Sequence, residues 1–181
     1  RPVAWTHRVV APPLAVKFAP LRDGKDDSLT EGAANLPYGI PNIGVDLVTV
    51  ELPVPLGFWR SVGLTHNTFV TESFLDEVAA AAGRDPFELR RELLRDRPRH
   101  LRTLELAAQK AGWGTPLPRG RGRGIAICEW EPTVCAQVAE VSVGSGGKVR
   151  VHRVVCAVDC GRVVNPDGLE AQIQGGIVFG L

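Results

Sequence analysis

The stretch Glu72-Ser73-Phe74-Leu75-Asp76-Glu77-Val78-Ala79-Ala80-Ala81-Ala82-Gly83-Arg84-Asp85-Pro86-Phe87-Glu88-Leu89-Arg90 decides the reading of the chain. Val70, Phe74, Val78 and Ala82 recur every fourth residue with Leu75 and Ala79 beside them, which predicts a helix over 65–82 with one wide apolar stripe. Gly83 stands where a left-handed C′ residue ends a helix. Asp85-Pro86 is a new start, a carboxylate N-cap followed by Pro at the first helical position, and predicts a second helix over 85–96. A third is expected over 99–111, closed by Gly112. Glu72, Asp76 and Glu77 share one helix; their bland reading is a solvated face, their sharper one a carboxylate pair.

Outward from this helical block the pattern changes. Eight of the fourteen prolines precede residue 60. Val3 to Val10 and Val45 to Leu52 carry strand-like β-branched runs, Leu21 to Ser28 is a polar stretch expected to be a mobile loop, and Pro53 and Pro55 turn the chain towards Gly57-Phe58-Trp59-Arg60. On the other side, 115–123 reads as a linker rich in Pro, Gly and Arg. Alternation then returns up to Val143, and Gly144-Ser145-Gly146-Gly147 joins it to a second run, 148–159, as a β-hairpin. Asn165-Pro166-Asp167 reads as a turn and N-cap into a closing helix that holds Gln172. The expected fold class is α+β, with mixed strands and a hairpin packed with helices. Residues 1–114 are expected to form one part, 115–123 a linker, and 124–181 a second part.

Composition bounds the function. With 181 residues, 44% hydrophobic and 23% charged, the chain can bury a core of its own; a net charge of +1 argues against nucleic acid as a partner. No apolar run approaches the roughly 20 residues that span a bilayer. The absence of Met and the apolar ending lead us to expect a segment of a longer polypeptide.

The chemically reactive residues give little by themselves. The four histidines are scattered singly and read as surface or capping residues. Cys128/Cys135 and Cys156/Cys160 lack the spacing of paired zinc ligands. Cys156 and Cys160 would lie about 13 Å apart on one strand at roughly 3.3 Å per residue, whereas a four-residue hairpin loop would set Cys135 opposite Cys156. That pair could bond, but buried thiols packed as small hydrophobes are the preferred reading. Gly120-Arg121-Gly122-Arg123-Gly124 precedes a strand and not a helix, so the helix-dipole argument for a phosphate cradle fails; it is read as an exposed loop that could still meet an anionic ligand.

Three stretches, taken together and in order, resemble the molybdopterin-binding large subunit of the molybdenum hydroxylases, the xanthine dehydrogenase and aldehyde oxidase family. Gly57-Phe58-Trp59-Arg60-Ser61-Val62-Gly63 is similar to the family's aromatic-Arg-Gly-Phe-Gly loop. Glu72 to Ala79 with Gly83 to Arg90 resembles its helix, Gly-x-Asp-Pro break and Arg-bearing second helix. Asp159-Cys160-Gly161, Asn165-Pro166 and Gln172-Ile173-Gln174-Gly175-Gly176 resemble its last signature. Within the family the wording looks most like the isoquinoline 1-oxidoreductase beta-subunit group and its aldehyde and nicotinate dehydrogenase relatives.

The resemblance implies part of the molybdenum-cofactor-binding domain of that fold. It also implies a molybdenum-pterin cofactor in its cytosine dinucleotide form, and hydroxylation of an N-heterocycle or oxidation of an aldehyde with water as the oxygen source. By carry-over the backbone at Arg60 and Ser61 approaches the cofactor, Trp59 and Val62 face substrate, and Gln172 hydrogen-bonds the metal centre or pterin. Val62 stands where the family more often has Phe. No side chain of the segment is a metal ligand, and its catalytic glutamate belongs to a Gly-Glu-Pro motif expected after residue 181, so the isolated segment is expected to be inactive. A small iron-sulfur subunit, a cytochrome electron acceptor, a small-molecule substrate and a bacterial cytoplasmic or periplasmic setting are further implications. Against this stand Phe58, Trp59 and Val62 as ordinary core, Gln172 as a helix-start residue, and a non-catalytic scaffold or interaction domain built on the same fold.

Overall fold

The computed structural model describes residues 1–14, 21 and 25–181. The loop expected over 21–28 falls partly outside them; of that stretch residues 21 and 25–28 are described. Two compact units divide the chain, Arg1–Asp96 and Arg97–Leu181.

In the first unit β1 (Trp5–Ala11) and β2 (Ile43–Thr49) pair in parallel, Trp5 opposite Ile43 and Ala11 opposite Thr49. The two strands expected there exist, shifted by a few residues, and the second stops short of Pro53. A short 3-10 turn, Asp27–Leu29, follows the buried Asp26, whose carboxylate accepts from the Ser28 amide and hydroxyl and from the Leu14 amide. Then come α1 (Leu64–Ala81) and α2 (Pro86–Leu93). Gly83, at φ +63°, ends α1, with the Arg84 amide reaching back to the Ala79 carbonyl. The Asp85 carboxylate caps the amides of Phe87 and Glu88 at 2.8 and 3.0 Å. Both signals act as the sequence predicts.

The interior face of α1 differs from the expected stripe. Leu64, Asn67, Thr71, Glu72, Leu75 and Ala79 are buried, while Val70 and Phe74 are exposed. Polar residues can take the inner face because each is satisfied there. Asn67 donates to the carbonyls of Leu29 and Glu31 at 2.9 and 2.8 Å, and Glu72 meets an arginine. Phe74 nevertheless packs edge-on against Trp5, with ring centroids 5.3 Å apart.

The second unit opens with α3 (Pro98–Ala111), so Pro98 starts this helix rather than only ending the one before. Gly112, at φ +68°, closes it. The expected linker is shorter than 115–123, because β3 (Arg121–Trp130) already includes the Arg-Gly run. A two-residue turn at Glu131-Pro132 leads to β4 (Thr133–Val143) and β5 (Val149–Asp159), giving an antiparallel sheet in the order β3-β4-β5. The strand before the hairpin thus makes a third member of the sheet.

Ile125, Ile127, Val134, Ala136, Val138 and Ala157 are buried, as are Leu104, Ala107, Ala108 and Ala111 on α3, the helix that lies against this sheet. Polar clamps fix the helix to the strands. Arg99 binds the Asp159 carboxylate in a fork, both contacts 3.0 Å, and Arg123 donates to Gly112 O and to Glu140. Arg123 is therefore an interior partner and not an exposed loop cation. Last comes α4 (Pro166–Gly180), which has no buried residue; the Asn165 side chain caps the Gly168 amide at 2.9 Å, as its sequence signal predicts.

The hairpin register also needs correction. The loop runs over 144–148, one residue longer than expected, and closes on the Val143–Val149 pair. A bulge at Glu140/Val141 adds a second step, so Gln137 faces Cys156 and Cys135 faces Val158.

Candidate functional site

The 57–63 turn is the most strained backbone in the described residues. Ser61 has φ +73° and Val62 φ +47°, two consecutive side-chain-bearing residues in the left-handed region, the second β-branched. Such a conformation costs of order 1–3 kcal/mol per residue and persists only where the surroundings enforce it. Three contacts do so. The Val62 amide donates to Trp59 O at 3.0 Å, the Thr65 hydroxyl donates to Arg60 O at 2.7 Å, and Gly63 packs so closely on the Ser28 carbonyl that a Cβ would collide with it. The Ser28 segment is in turn held by Asp26, and its neighbours Leu29 and Glu31 by Asn67. Trp59, Arg60 and Ser61 are exposed and Val62 is half-buried, so Phe58 and Trp59 are not core.

A contrasting cluster lies on α1 and α2. Arg90 is wholly buried; Nε donates to Glu72 Oε2 at 3.0 Å, Nη1 to Asp76 at 2.5 Å and to Pro86 O at 3.2 Å, and Nη2 to Glu72 O at 2.9 Å. The Tyr38 hydroxyl adds a bond to the other Glu72 oxygen at 2.7 Å. Burial and the Glu72 charge push the Tyr38 hydroxyl well above its ordinary range, so it stays a donor. Glu72 and Asp76 are thus partners of one arginine, and Glu72 is not on a solvated face. The carboxylate pair has the geometry of a structural clamp, not of acid–base catalysis.

In the second unit, Asp159-Cys160-Gly161 forms a similar device. Asp159 accepts from Arg99 and from the Gly161 amide at 3.1 Å, and chiefly the Arg99 bonds bring its carboxyl down to about 2. His100, expected at the surface, is buried with Nε2 3.1 Å from Glu129; desolvation outweighs that carboxylate and lowers its pKa, leaving the ring neutral. Gln172 sits in the second turn of α4 and is exposed. Among the described residues no group of three His, Cys, Asp or Glu is arranged to hold a metal ion. A cavity of about 540 Å3 lined by Arg8, Lys25, Asp27 and Asp46 among others contains none of the candidate residues.

Residues 75–181 match the model of the molybdopterin cofactor-binding domain. The chain belongs to that family. It is also similar to the beta subunit of isoquinoline 1-oxidoreductase of Brevundimonas diminuta, 31% identical over 148 residues, 80% of this chain and 19% of that protein. A nicotinate dehydrogenase subunit of Pseudomonas putida is 34% identical over 161 residues, 78% of this chain and 13% of that one. A Gluconacetobacter polyoxogenes protein named membrane-bound aldehyde dehydrogenase (pyrroloquinoline-quinone) is 34% identical over 145 residues, 69% and 19% of the two chains. The chain spans less than a fifth of the length of each of these relatives. No solved structure matches it.

The residues of this molybdopterin-binding domain that carry the resemblance divide by environment. The Arg60 turn and Gln172 are exposed, with backbone strain at the first and an amide able to donate and accept at the second. Left-handed residues are a recurrent way of presenting peptide N–H groups to anionic oxygens, so the turn fits a phosphate- and oxo-bearing cofactor. The Glu72–Arg90 and Arg99–Asp159 pairs fit the fold. Sequence reasoning missed these pairings, although an Arg inside a helix's buried stretch was a usable signal. No helix among the described residues is long and apolar enough to cross a membrane.

Proposed function

We propose that this domain is the cofactor-cradling part of an oxidoreductase subunit that hydroxylates an N-heterocycle or oxidises an aldehyde. The observation that carries the reading is the Ser61–Val62 turn, held in a left-handed conformation and presented outward. Local contacts hold the two residues in this conformation but gain nothing from its strain, whereas close approach of the backbone to a ligand would give that strain a use.

When bound, a molybdenum-pterin in its cytosine dinucleotide form supplies the redox chemistry that places a water-derived oxygen on carbon. This chain's residues bind and orient. In the first unit the Arg60 and Ser61 backbone would hold the cofactor's oxygens, with Val62 and Trp59 shaping the substrate side. In the second unit Gln172 would offer its amide to the pterin or metal centre. The rest of the reading is an iron-sulfur subunit that takes up the electrons, a cytochrome that accepts them, and a bacterial cytoplasmic or periplasmic setting. The names of the Brevundimonas and Pseudomonas relatives, both subunits, support it.

The test is elemental analysis for molybdenum, with pterin fluorescence after oxidation, on the full-length protein co-expressed with its iron-sulfur partner. About one metal and one pterin per chain is expected. Neither, in cells able to make the cofactor, would favour the scaffold reading, and a quinone in their place would favour the chemistry in the Gluconacetobacter relative's name.

A further inference from the structure

Three of the four cysteines share one face of the β3-β4-β5 sheet. Cys128 on β3 lies directly opposite Cys135 on β4, and Cys156 on β5 lies opposite Gln137, diagonal to Cys135. The buried residues Val134, Ala136 and Val138 alternate with Cys135 and Gln137, so the thiols occupy the face turned away from the unit's apolar core. All three are half-buried thiols. The Cys135 sulfur is 3.5 Å from that of Cys156 and 3.7 Å from the Gln137 amide nitrogen.

The three donors around Cys135 make the cluster asymmetric. Hydrogen bonding with Cys128 first, then with Cys156 and Gln137, favours the Cys135 thiolate, while the same contact with Cys135, together with burial, pushes the Cys156 thiol up. Cys135 is the central sulfur of the three, in contact with Cys156 and the Gln137 amide and opposite Cys128, and is the one placed to act as nucleophile. No metal-holding arrangement exists among the described residues, so the cluster is read as redox-active and not as a ligand set.

We propose that Cys135 is an oxidation site for hydroperoxides, and that it closes reversibly onto Cys128 in a cross-strand disulfide. The choice of Cys128 over the nearby Cys156 follows from the backbone. Directly opposed strand residues have Cα atoms about 4.5 to 5.5 Å apart, inside the disulfide range of roughly 4.4 to 6.8 Å. Diagonal partners stand about 7 to 8 Å apart, so Cys156 can touch Cys135 but cannot bond to it without strand movement.

The Cys135 thiolate attacks one oxygen of the hydroperoxide. An S–O bond forms, the O–O bond breaks, and the leaving alkoxide takes a proton from water, yielding an alcohol and the Cys135 sulfenic acid. The Cys128 sulfur, giving up its proton, then attacks the Cys135 sulfur; the S–S bond forms and the S–O bond breaks with loss of water. Two thiols have together given two electrons to the peroxide. A dithiol returns both by exchange.

The sequence allows a clean test on the full-length subunit in its assembled complex. No Lys or Arg lies between Gly124 and Lys148, so trypsin leaves Cys128 and Cys135 in one peptide, 124–148, and places Cys156 with Cys160 in 154–162. After hydrogen peroxide and alkylation, peptide 124–148 is expected to lose two hydrogens. Cleavage after Glu129 should leave its halves joined until dithiothreitol is added. Cys156→Ser should keep this result, and Cys128→Ser should abolish it and leave Cys135 open to capture by dimedone. Peptides 124–148 and 154–162 joined to each other would overturn the assignment, as would a Cys135 that stays reduced at every peroxide level.

Discussion

Arg60 and Arg90 both stand in stretches that resemble the same family, yet their surroundings are opposite. Arg90 has no exposed surface, and its guanidinium donates to Glu72, Asp76 and Pro86 O. Arg60 lies exposed, one residue before two left-handed ones. The difference teaches that a family signature mixes two kinds of residue. In one stretch the fold neutralises a buried charge; in the other a strained backbone is held at the surface.

The comparison breaks most sharply with paired substitutions. Arg90→Met removes the cation that neutralises the buried Glu72 carboxylate, which should destabilise the chain by about 3–5 kcal/mol. Arg60→Met should move stability by less than about 0.5 kcal/mol. Urea unfolding midpoints decide, and equal losses would remove the distinction between the two arginines.

Gly63→Ala joins the two regions, since its new methyl would meet the Ser28 carbonyl. Either the 28–31 segment or the turn must shift, at about 1–3 kcal/mol. The pterin content of the full-length protein should fall with the urea midpoint, and retained pterin would show that the turn's conformation does not matter to the cofactor.

The second unit gives a pH-resolved version. Folding lowers the pKa of His100, so stability is intact above the ordinary value of 6.5 and drains as pH falls below it, because the unfolded chain takes up a proton first. Asp159, at about 2 against an ordinary 3.8, contributes stability that is present above 3.8 and lost as pH falls towards 2. Thermal melts against pH should therefore show two successive acid losses. In Asp159→Asn the second should disappear, with a lower melting temperature at pH 7; an unchanged acid limb would show that the Arg99 fork does not hold the helix to the strand.

Local signals in the sequence were legible where one residue does one job. Asp85 with Pro86, Gly83, Gly112 and Asn165 cap or close helices where expected, because capping depends on the next few residues only. What failed depends on partners far along the chain. The inner face of α1 could not be read from apolar spacing, since Asn67 and Glu72 become interior residues only by meeting Leu29, Glu31, Tyr38 and Arg90. The hairpin register failed through one extra loop residue and one bulge, each of which shifts all the pairs beyond it. Of the candidate site, the turn's location was visible in the sequence, but its left-handed backbone was not. Neither Ser61 nor Val62 prefers that region, so the conformation is imposed by Gly63, Thr65 and the Ser28 segment.

This imposed strain gives the smallest effect and the one with the opposite sign. A left-handed β-branched residue costs about 1–2 kcal/mol, and glycine there avoids that cost while losing roughly 0.5–1 kcal/mol to its freer unfolded state. Val62→Gly should therefore stabilise the chain slightly, by up to about 1 kcal/mol. A residue kept only for stability would have no reason to remain Val. If Val62 shapes the substrate side of a cofactor cradle, the same variant should keep or raise its urea midpoint and lose turnover in the full-length enzyme, with KM rising more than kcat falls. A stabilised variant with unaltered turnover would mean that the strain in this turn serves neither the fold nor the site.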